Sequence, residues 1–431
     1  MLNRIKKELE NIKHDGWLIE SIESDKVELF FIRKDLEMNR GVNVKEYSVT
    51  VYRESEEDGK KFIGSSRTNI APSMNEEEIR ETLEVASLAA SFVKNEYYEL
   101  VDPTDEKPLE MKTKFGENLT KYVNELVDAV FKEDKYEQGG INSVEFFLTK
   151  HNIRRLNSKG LDITYTKFNG MIEMIAEWKD KGEETELYKM IRFSDFDPKN
   201  VSDEVSAVLS EAMERANAIP TPQLDVPVIL TKEPVKQLFD YYAVRTNAQY
   251  MYEGLFDTKI GDSVQGENVT GDNISITMNP VLVNSTVSSP YDSDGFLLKD
   301  IEIIKDGKVT DIIASKRYAD YLNLTPTGHV ANVVVKAGEI TEKEMKKEPY
   351  LELFKFSAFQ MDPLTGDFGG EIRLGRYFDG EKVVPVTGGS LTGNIKNIQS
   401  SMTFSKELEQ HNNFLGPKSI KIANFSLASA E

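Results

Sequence analysis

Alternation between apolar and polar residues runs through two long stretches and constrains the fold more than any other feature. The first stretch, residues 17–54, includes YSVTVY at 47–52, and the second, residues 143–193, includes LDITY at 161–165. A period of two places successive side chains on opposite faces of a β-strand, so each stretch predicts paired strands with one buried face. Any fold of this chain must therefore contain at least one large sheet.

Helical periodicity separates these strand-forming stretches. Residues 79–93 place apolar side chains at alternating spacings of four and three, which predicts an amphipathic helix. A capping-box pattern at Ser73 and Glu76 predicts its start. Further helices are predicted at about 119–130, 202–218 and 234–247.

Two prolines in the segment IPTP at residues 219–222 are expected to interrupt any regular element. We place the domain boundary there, with an α/β N-terminal domain at residues 1–219 and a β-rich C-terminal domain at residues 220–431. Turn pairs such as Asp306-Gly307 and Gly388-Gly389 in the second half indicate short strands joined by tight turns. The predicted fold class is α+β.

Composition excludes several functional classes. The absence of cysteine rules out disulfides, cysteine-ligated zinc, iron–sulfur clusters and thiol nucleophiles. A formal net charge of -20, without a basic patch, argues against direct contact with nucleic acid. No window approaches the roughly 18 consecutive apolar residues of a membrane span, and residues 1–8 resemble no signal peptide. We expect a cytoplasmic protein.

Several motifs in the chain resemble those of the TldD/PmbA family, some of whose members are labelled modulators of DNA gyrase. The segment PYDSDG at residues 290–295 is similar to the family's P-x-D-x-E-G, with Asp294 where glutamate is usual. The segments FQMDPLTGDF at 359–368 and GGSLTGN at 388–394 also match, and NSKG at 157–160 resembles the family's N-S-x-G turn. The resemblance implies a two-domain fold whose C-terminal half is metallopeptidase-like.

The zinc-binding members of this family carry H-E-x-x-H on a helix, where two histidines one turn apart bind zinc. The chain contains no such motif. Aligning LFDYYA at residues 238–243 with the family's metal helix places Phe239 and Ala243 at the histidine positions and Asp240 at the glutamate position. Leu415 stands where the metal-bearing members have a cysteine ligand. The resemblance thus implies the PmbA/TldE-like branch, with a vacant metal site, no metal, no cofactor and no catalytic residue.

Other polar residues are candidates for a cleft or for structural turns. They are Asp292, Asp294, His329, Asp362, Asp367 and Asn394. We interpret Asp362 and Asp367 as turn residues that accept hydrogen bonds from backbone amides. Two carboxylates at 292 and 294 fall short of the six to eight oxygens that calcium prefers. His329 or His411 could act as an acid or base, although a lone histidine is more often structural.

The resemblance implies a noncatalytic subunit that dimerises, either with itself or with a zinc-bearing TldD-like subunit, to form a peptidase for unfolded or extended peptides. The chain alone is then expected to be inactive. One alternative is a regulatory or binding protein, of the gyrase-modulator type, that acts without a peptidase partner. A further alternative is a homodimer with its own hydrolytic site, although no G-x-S-x-G motif supports it.

Overall fold

A large antiparallel sheet forms the N-terminal half of the computed structural model, which describes residues 1–115, 118–180 and 183–430. The strands of this N-terminal sheet are β1 (Gly16–Ile32), β2 (Asp35–Glu57), β3 (Lys60–Asn69), β4 (Asn95–Glu96), β5 (Gly139–Asn157), β6 (Asp162–Asp180) and β7 (Glu183–Phe193). Their order across the sheet is β4-β3-β2-β1-β5-β6-β7. Both alternating stretches of the sequence are confirmed as strands. The predicted strand at 161–165 is the start of the much longer strand β6, which begins at Asp162.

Helices cover one face of this sheet. They are α1 (Leu2–Leu9), α2 (Glu76–Ser91), a 3-10 turn at Leu119–Tyr122, α3 (Val123–Phe131) and α4 (Pro198–Ala216). Helix α2 packs on β2 and β3, where its Ile79 and Leu83 are fully buried against Val49 and Val51, and α1 packs against α2. Helix α4 packs on β5, β6 and β7, and α3 packs against α4 in the same apolar cluster.

The start of α2 differs from the sequence prediction. Asn75, not Ser73, is the N-cap, and its side-chain oxygen accepts from the Glu78 amide at 3.0 Å. The Glu78 carboxylate in turn accepts from the Asn75 amide at 2.7 Å. Asparagine caps helices as well as serine does and has the same three-residue spacing to a glutamate, so the pattern alone did not discriminate between the two starts.

Residues 219–428 form two further sheets. The six-stranded sheet contains β10 (Ile276–Asn279), β11 (Ile301–Lys305), β12 (Lys308–Val309), β13 (Asn332–Val335), β20 (Leu408–His411) and β21 (Phe414–Pro417). The ten-stranded sheet contains β8 (Ile219–Pro220), β9 (Val228–Thr231), β14 (Tyr350–Phe356), β15 (Gln360–Met361), β16 (Asp367–Phe378), β17 (Val383–Thr387), β18 (Ser390–Asn394), β19 (Thr403–Phe404), β22 (Ser419–Ile422) and β23 (Ser426–Ala428). With the helices, these sheets give the predicted α+β fold.

Five helices connect these strands. They are α5 (Glu233–Arg245), α6 (Ala248–Tyr252), α7 (Lys316–Leu322), α8 (Glu342–Met345) and α9 (Ile395–Ile398). Helix α5 lies against β9 and β14 of the ten-stranded sheet and against β13 and β21 of the six-stranded sheet. The core of this half is therefore built around α5. No helix in the part of the chain that the structure describes is long and apolar enough to cross a membrane.

The segment predicted to interrupt regular structure contains a short strand instead. Ile219 and Pro220 form β8, which pairs in parallel with Val386 and Thr387 of β17. Proline is tolerated there because β8 lies at the edge of the sheet, where a missing N–H costs no ladder bond. The domain boundary between residues 219 and 220 stays a prediction.

Ion pairs fasten α4 of the N-terminal half to the ten-stranded sheet. The side chain of Glu211, 7% exposed, accepts from Lys355 at 2.7 Å and from Lys232. Nearby on α4, Glu214 pairs with Arg376 at 2.9 Å. Burial by itself would raise the pKa of Glu211, but Lys355 and Lys232 outweigh it and lower that pKa to about 2. The Glu211 carboxylate is therefore ionised and bridges the two halves.

We expect Glu211→Gln to lower the free energy of unfolding by about 3 kcal/mol at neutral pH, because it removes a buried carboxylate that two half-buried lysines pair with. The matched control is Asp203→Asn, whose partner Lys199 is also on α4 but exposed, and its loss should stay below about 1 kcal/mol. Urea unfolding of both variants measures the difference. Similar losses of unfolding free energy in the two variants would show that the burial of Glu211 does not strengthen its ion pairs.

The stability that the ion pairs of Glu211 contribute has a predictable pH dependence. The pKa of Glu211 is lowered from 4.5 in the unfolded chain to about 2 in the folded protein, so its contribution is present above about pH 4.5 and is lost as the pH falls through 2. The difference in unfolding free energy between wild type and Glu211→Gln should shrink over that window. A constant difference would contradict this.

Candidate functional site

Helix α5 carries three of the four positions where the sequence analysis placed a vacant metal site. It begins after Lys232, whose φ of 63° lies in the left-handed region, and has proline in its first turn. Its apolar residues Val235, Leu238 and Tyr242, with Phe239, repeat at helical spacing and are buried. The predicted helix at 234–247 is therefore confirmed, ending two residues earlier.

Phe239 lies at the centre of an aromatic cluster formed by Phe239, Tyr242, Phe404 and Phe414. Its side chain is 0% exposed. The ring stacks on Phe414 with centroids 5.8 Å apart, and it meets Phe404 edge-on at 5.4 Å. The position of the first expected histidine is thus occupied by a ring that has no lone pair and is enclosed on several sides.

The other three positions are no better suited to zinc. Asp240 accepts from Lys236 at 2.7 Å within the same helix, and burial raises its pKa although Lys236 opposes that effect. Ala243 packs against the core, and Leu415 lies on β21 opposite Gln410 and Val334. Leu415 directly follows Phe414, whose ring stacks on Phe239 of α5. The strand that carries Leu415 therefore lies beside α5.

These residues do not fit a zinc ion. Three of the four side chains are hydrocarbon, and the one carboxylate is already ion-paired. Within residues 1–115, 118–180 and 183–430, no three His, Cys, Asp or Glu residues are grouped in a way that could hold a metal. No step of a zinc-dependent reaction can be derived from this chain's own residues.

Asp292 builds a turn in the PYDSDG segment. One carboxylate oxygen accepts from the amides of Asp294 at 3.0 Å and Phe296 at 2.9 Å, and the other accepts from the amide of His329 at 3.4 Å. Burial, with a contribution from Asp294, raises its pKa to about 6. The structure thus brings the backbone of His329 to the turn that contains Asp292 and Asp294.

Asp294 lies at the junction of the two halves. Burial raises its pKa, while Arg155 and Arg317 oppose the rise. Its carboxylate lines a cavity of about 10 Å³ with Tyr52 and Tyr98, which is enough for about one water molecule. A peptide substrate cannot enter so small a space. Burial also lowers the pKa of His329, which favours its neutral form.

The turn at residues 362–367 is partly as predicted. The Asp362 carboxylate accepts from the amides of Leu364 at 2.7 Å and Thr365 at 3.3 Å, which confirms a backbone-bonded turn. The interpretation of Asp367 is wrong, since its carboxylate accepts from the side-chain amide of Asn394 at 2.7 Å. Asn394 comes close because β16 and β18 pair with Asp367 opposite Asn394.

An open groove of about 480 Å³ lies beside this pair. Its lining includes Asp367, Phe368, Asn394, Asn397, Asn424 and Phe425. Amide side chains beside an aromatic ring can donate to and accept from a peptide backbone. Sequence reasoning missed Asn397, Asn424 and Phe425. Closeness to the GGSLTGN motif could have suggested Asn397, but no motif marks the other two.

Comparison with known proteins agrees with the motifs. Residues 223–429 match the family described as the PmbA/TldA metallopeptidase C-terminal domain. A metalloprotease PmbA of Escherichia coli O157:H7 is 26% identical over 196 residues. That match covers 44% of this chain and 43% of the bacterial protein, less than half of either.

Solved structures match over the full chain. TldE from Thermococcus kodakarensis superimposes with a TM-score of 0.78 at 16% identity, with 100% of both chains covered. A proposed modulator of a DNA gyrase from Thermotoga maritima gives the same TM-score at 17% identity, also over 100% of both chains. At such low identity these structures establish the fold, and the site must supply any argument about function.

We expect Phe239→Ala to destabilise the protein by about 4 kcal/mol, because it removes a fully enclosed ring and leaves a cavity beside Phe404 and Phe414. Phe92→Ala is the matched control, since that ring is 79% exposed and its removal should change stability by less than about 0.5 kcal/mol. Urea unfolding measures both. A small loss for Phe239→Ala would show that the aromatic cluster is loosely packed.

Proposed function

Because this chain is a member of the TldD/PmbA family, with the family's C-terminal domain at residues 223–429, we propose that it is a noncatalytic, TldE-like subunit of a zinc peptidase complex. The observation that carries the proposal is the aromatic cluster around Phe239. The cluster occupies the position where the zinc-binding members place a metal ligand. A subunit built this way supports a peptidase only by pairing with one that has the metal.

The pairing we propose is with a zinc-bearing TldD-like subunit, or with a second copy of the chain in its absence. The partner supplies zinc and the residues that activate water. This chain supplies walls of the substrate cleft and part of the dimer surface. What supports this division is that both sheets form around helix α5 although positions 239 and 243 of that helix have no ligand atoms.

Unfolded or extended peptides are the proposed substrates. The groove beside Asp367 and Asn394 presents amide and carboxylate groups that are suited to a peptide backbone and do not select for side-chain identity. Short strands such as β15 and β23 lie next to the groove and are available for main-chain pairing. An extended chain offers its backbone for such contacts, whereas a folded protein does not.

The alternative is a regulatory or binding protein that acts without a peptidase partner. The observation that supports this alternative is the name of the Thermotoga maritima structure, a proposed modulator of a DNA gyrase. The net charge of -20 disfavours direct DNA binding but permits contact with a basic protein. The two functions differ in whether the chain co-purifies with an H-E-x-x-H homologue.

We expect the purified chain to contain far less than one zinc per molecule after dialysis against a weak chelator, because Phe239, Ala243 and Leu415 offer no ligand atoms. Elemental analysis measures this. One zinc per chain would mean that the metal site lies elsewhere.

The triple variant Phe239→His, Asp240→Glu, Ala243→His should still lack robust peptidase activity, since the groups that orient zinc ligands are absent.

Mixing the chain with a TldD-like subunit from the same organism should give a complex that elutes as one species and cleaves an unfolded peptide. The chain alone should cleave nothing. A partner whose H-E-x-x-H glutamate is replaced by glutamine should still bind but lose cleavage, which separates assembly from chemistry. Failure of the two to associate at micromolar concentration, with the partner active by itself, would favour the regulatory alternative.

A further inference from the structure

Three polar side chains form a row across the middle of the N-terminal sheet. Ser24 of β1 lies opposite His151 of β5, and His151 lies opposite Lys167 of β6. Residues directly opposite in antiparallel strands project from the same face, with Cβ atoms about 5 Å apart. The Ser24 hydroxyl is 2.8 Å from His151 Nδ1. The row therefore places an amine, an imidazole and a hydroxyl side by side.

This row faces the C-terminal half of the protein and not the helices. Tyr165 and Asn169, two residues either side of Lys167, project from the same face of β6. The Tyr165 ring lies 5.9 Å from that of Tyr291. Asn169, with its amide oriented as its neighbours require, donates to the Thr286 carbonyl at 3.0 Å. Lys167 thus lies in the crevice where the sheet meets residues 286–291.

Among the described residues, no carboxylate balances the charge of the half-buried Lys167. Its amine makes no ion pair within 4.0 Å there and donates no hydrogen bond, in contrast to the half-buried lysines Lys232 and Lys355, which both bond to Glu211. Burial, with a contribution from Arg155, lowers the pKa of Lys167 to about 8. Arg155 stays protonated, because burial is outweighed by Tyr165 and Glu20, which raise its pKa above the ordinary value.

The surroundings of His151 favour the neutral form of its imidazole beside the Lys167 amine. Burial lowers its pKa, Lys167 and Lys26 lower it further, and Glu46 opposes them. Its Nδ1 is engaged with Ser24, so Nε2 is the nitrogen left for proton transfer. Besides these groups, Tyr165 and Tyr291 border the row from β6 and from the C-terminal half. A desolvated lysine beside a base that a third group orients is the arrangement of an activated nucleophile.

We propose that Lys167 is a carbonyl-reactive lysine that condenses with a small aldehyde, with His151 moving the proton and Ser24 positioning His151. Nothing in this proposal depends on the peptidase complex. The neutral amine adds to the carbonyl carbon, and the C=O electron pair moves to oxygen. His151 takes one proton from nitrogen and delivers it to that oxygen, which gives the carbinolamine. His151 then moves the second nitrogen proton to the hydroxyl, the C–O bond breaks, water leaves, and the nitrogen electron pair forms the C=N bond of the imine.

The test uses the full-length protein with glyoxylate as probe and cyanoborohydride to trap the imine, followed by peptide mass spectrometry. At pH 7.5 the neutral fraction of Lys167 is on the order of a hundred times that of an ordinary lysine, so it should be labelled at least about tenfold faster than Lys150. Lys150 is the matched comparison, since it is adjacent to His151 on β5 and lies over the Phe168 ring on the opposite face. Equal labelling of the two lysines in the wild-type protein would overturn the proposal without any variant.

The pH profile gives a second readout. Labelling of Lys167 should rise with pH, reach half of its maximum near pH 8 and level off about one pH unit above that, because its amine is then almost fully neutral. Labelling of the lysine side chain in a free, unstructured reference peptide should continue to rise, since an ordinary lysine has a pKa of about 10.4. A Lys167 profile that continues to rise with that of the reference peptide would also overturn the proposal.

Variants assign the roles. Lys167→Arg should abolish the fast label and Lys150→Arg should not. His151→Gln should slow labelling of Lys167 about tenfold or more while leaving Lys150 unchanged. Ser24→Ala should slow it less, and Ser24→Thr should restore it. Thermal melting of each variant shows whether it is folded. Unchanged labelling in a folded His151→Gln protein would remove histidine from the mechanism and overturn the proposal as stated.

Discussion

The enclosure of helix α5 between two sheets is the constraint on which the C-terminal half depends. Leu238, Phe239 and Tyr242 face residues of both sheets, and Phe414 and Phe404 close around the ring of Phe239. Burying a ring of this size is among the largest single contributions to a core. A histidine pair with a bound ion would require polar atoms in the same place, and unpaired polar atoms are costly when buried. The helix can contribute to the core or to a metal site, and in this chain it contributes to the core.

The two halves meet through polar contacts of two kinds. On one side, Glu211 of α4 holds Lys232 and Lys355 near the ends of two parallel strands. On the other, Arg155 of the N-terminal sheet donates to the Asp292 carbonyl at 3.1 Å. These contacts fix the position of the sheet face that carries Ser24, His151 and Lys167. The polar face of a sheet usually lies in water, but here the C-terminal half covers part of it, and the resulting desolvation shifts the pKa values of its basic groups.

Fold and chemistry have diverged to different extents in this protein. The full-length match to TldE and to a proposed gyrase modulator, at 16% and 17% identity, shows that the arrangement of sheets survives extensive substitution. The arrangement tolerates substitution because it rests on apolar patterning and turn geometry, which many sequences satisfy. A metal site tolerates almost none, since each ligand is a specific atom in a specific place. The turn that Asp362 builds and the pairing of Asp367 with Asn394 rest on such turn geometry and strand pairing.

Features encoded in neighbouring residues could be predicted from the sequence. Period-two alternation located the strands of the N-terminal sheet, and helical spacing located α2 and α5. The residue types at 239, 243 and 415 show directly that these side chains have no zinc-ligating atoms, whereas their assignment to a metal site stays a prediction. The Asp362 turn was also predictable, because its carboxylate bonds to amides two and three residues away. What these predictions have in common is that the chain itself keeps the interacting groups close, whatever the rest of the molecule does. The tertiary structure alone decided that Phe414 and Phe404 enclose Phe239, that Asp367 pairs with Asn394, and that Ser24 meets His151 across 127 residues of sequence. Such contacts depend on strand register and on the packing of whole sheets, and no local pattern of residues contains that information.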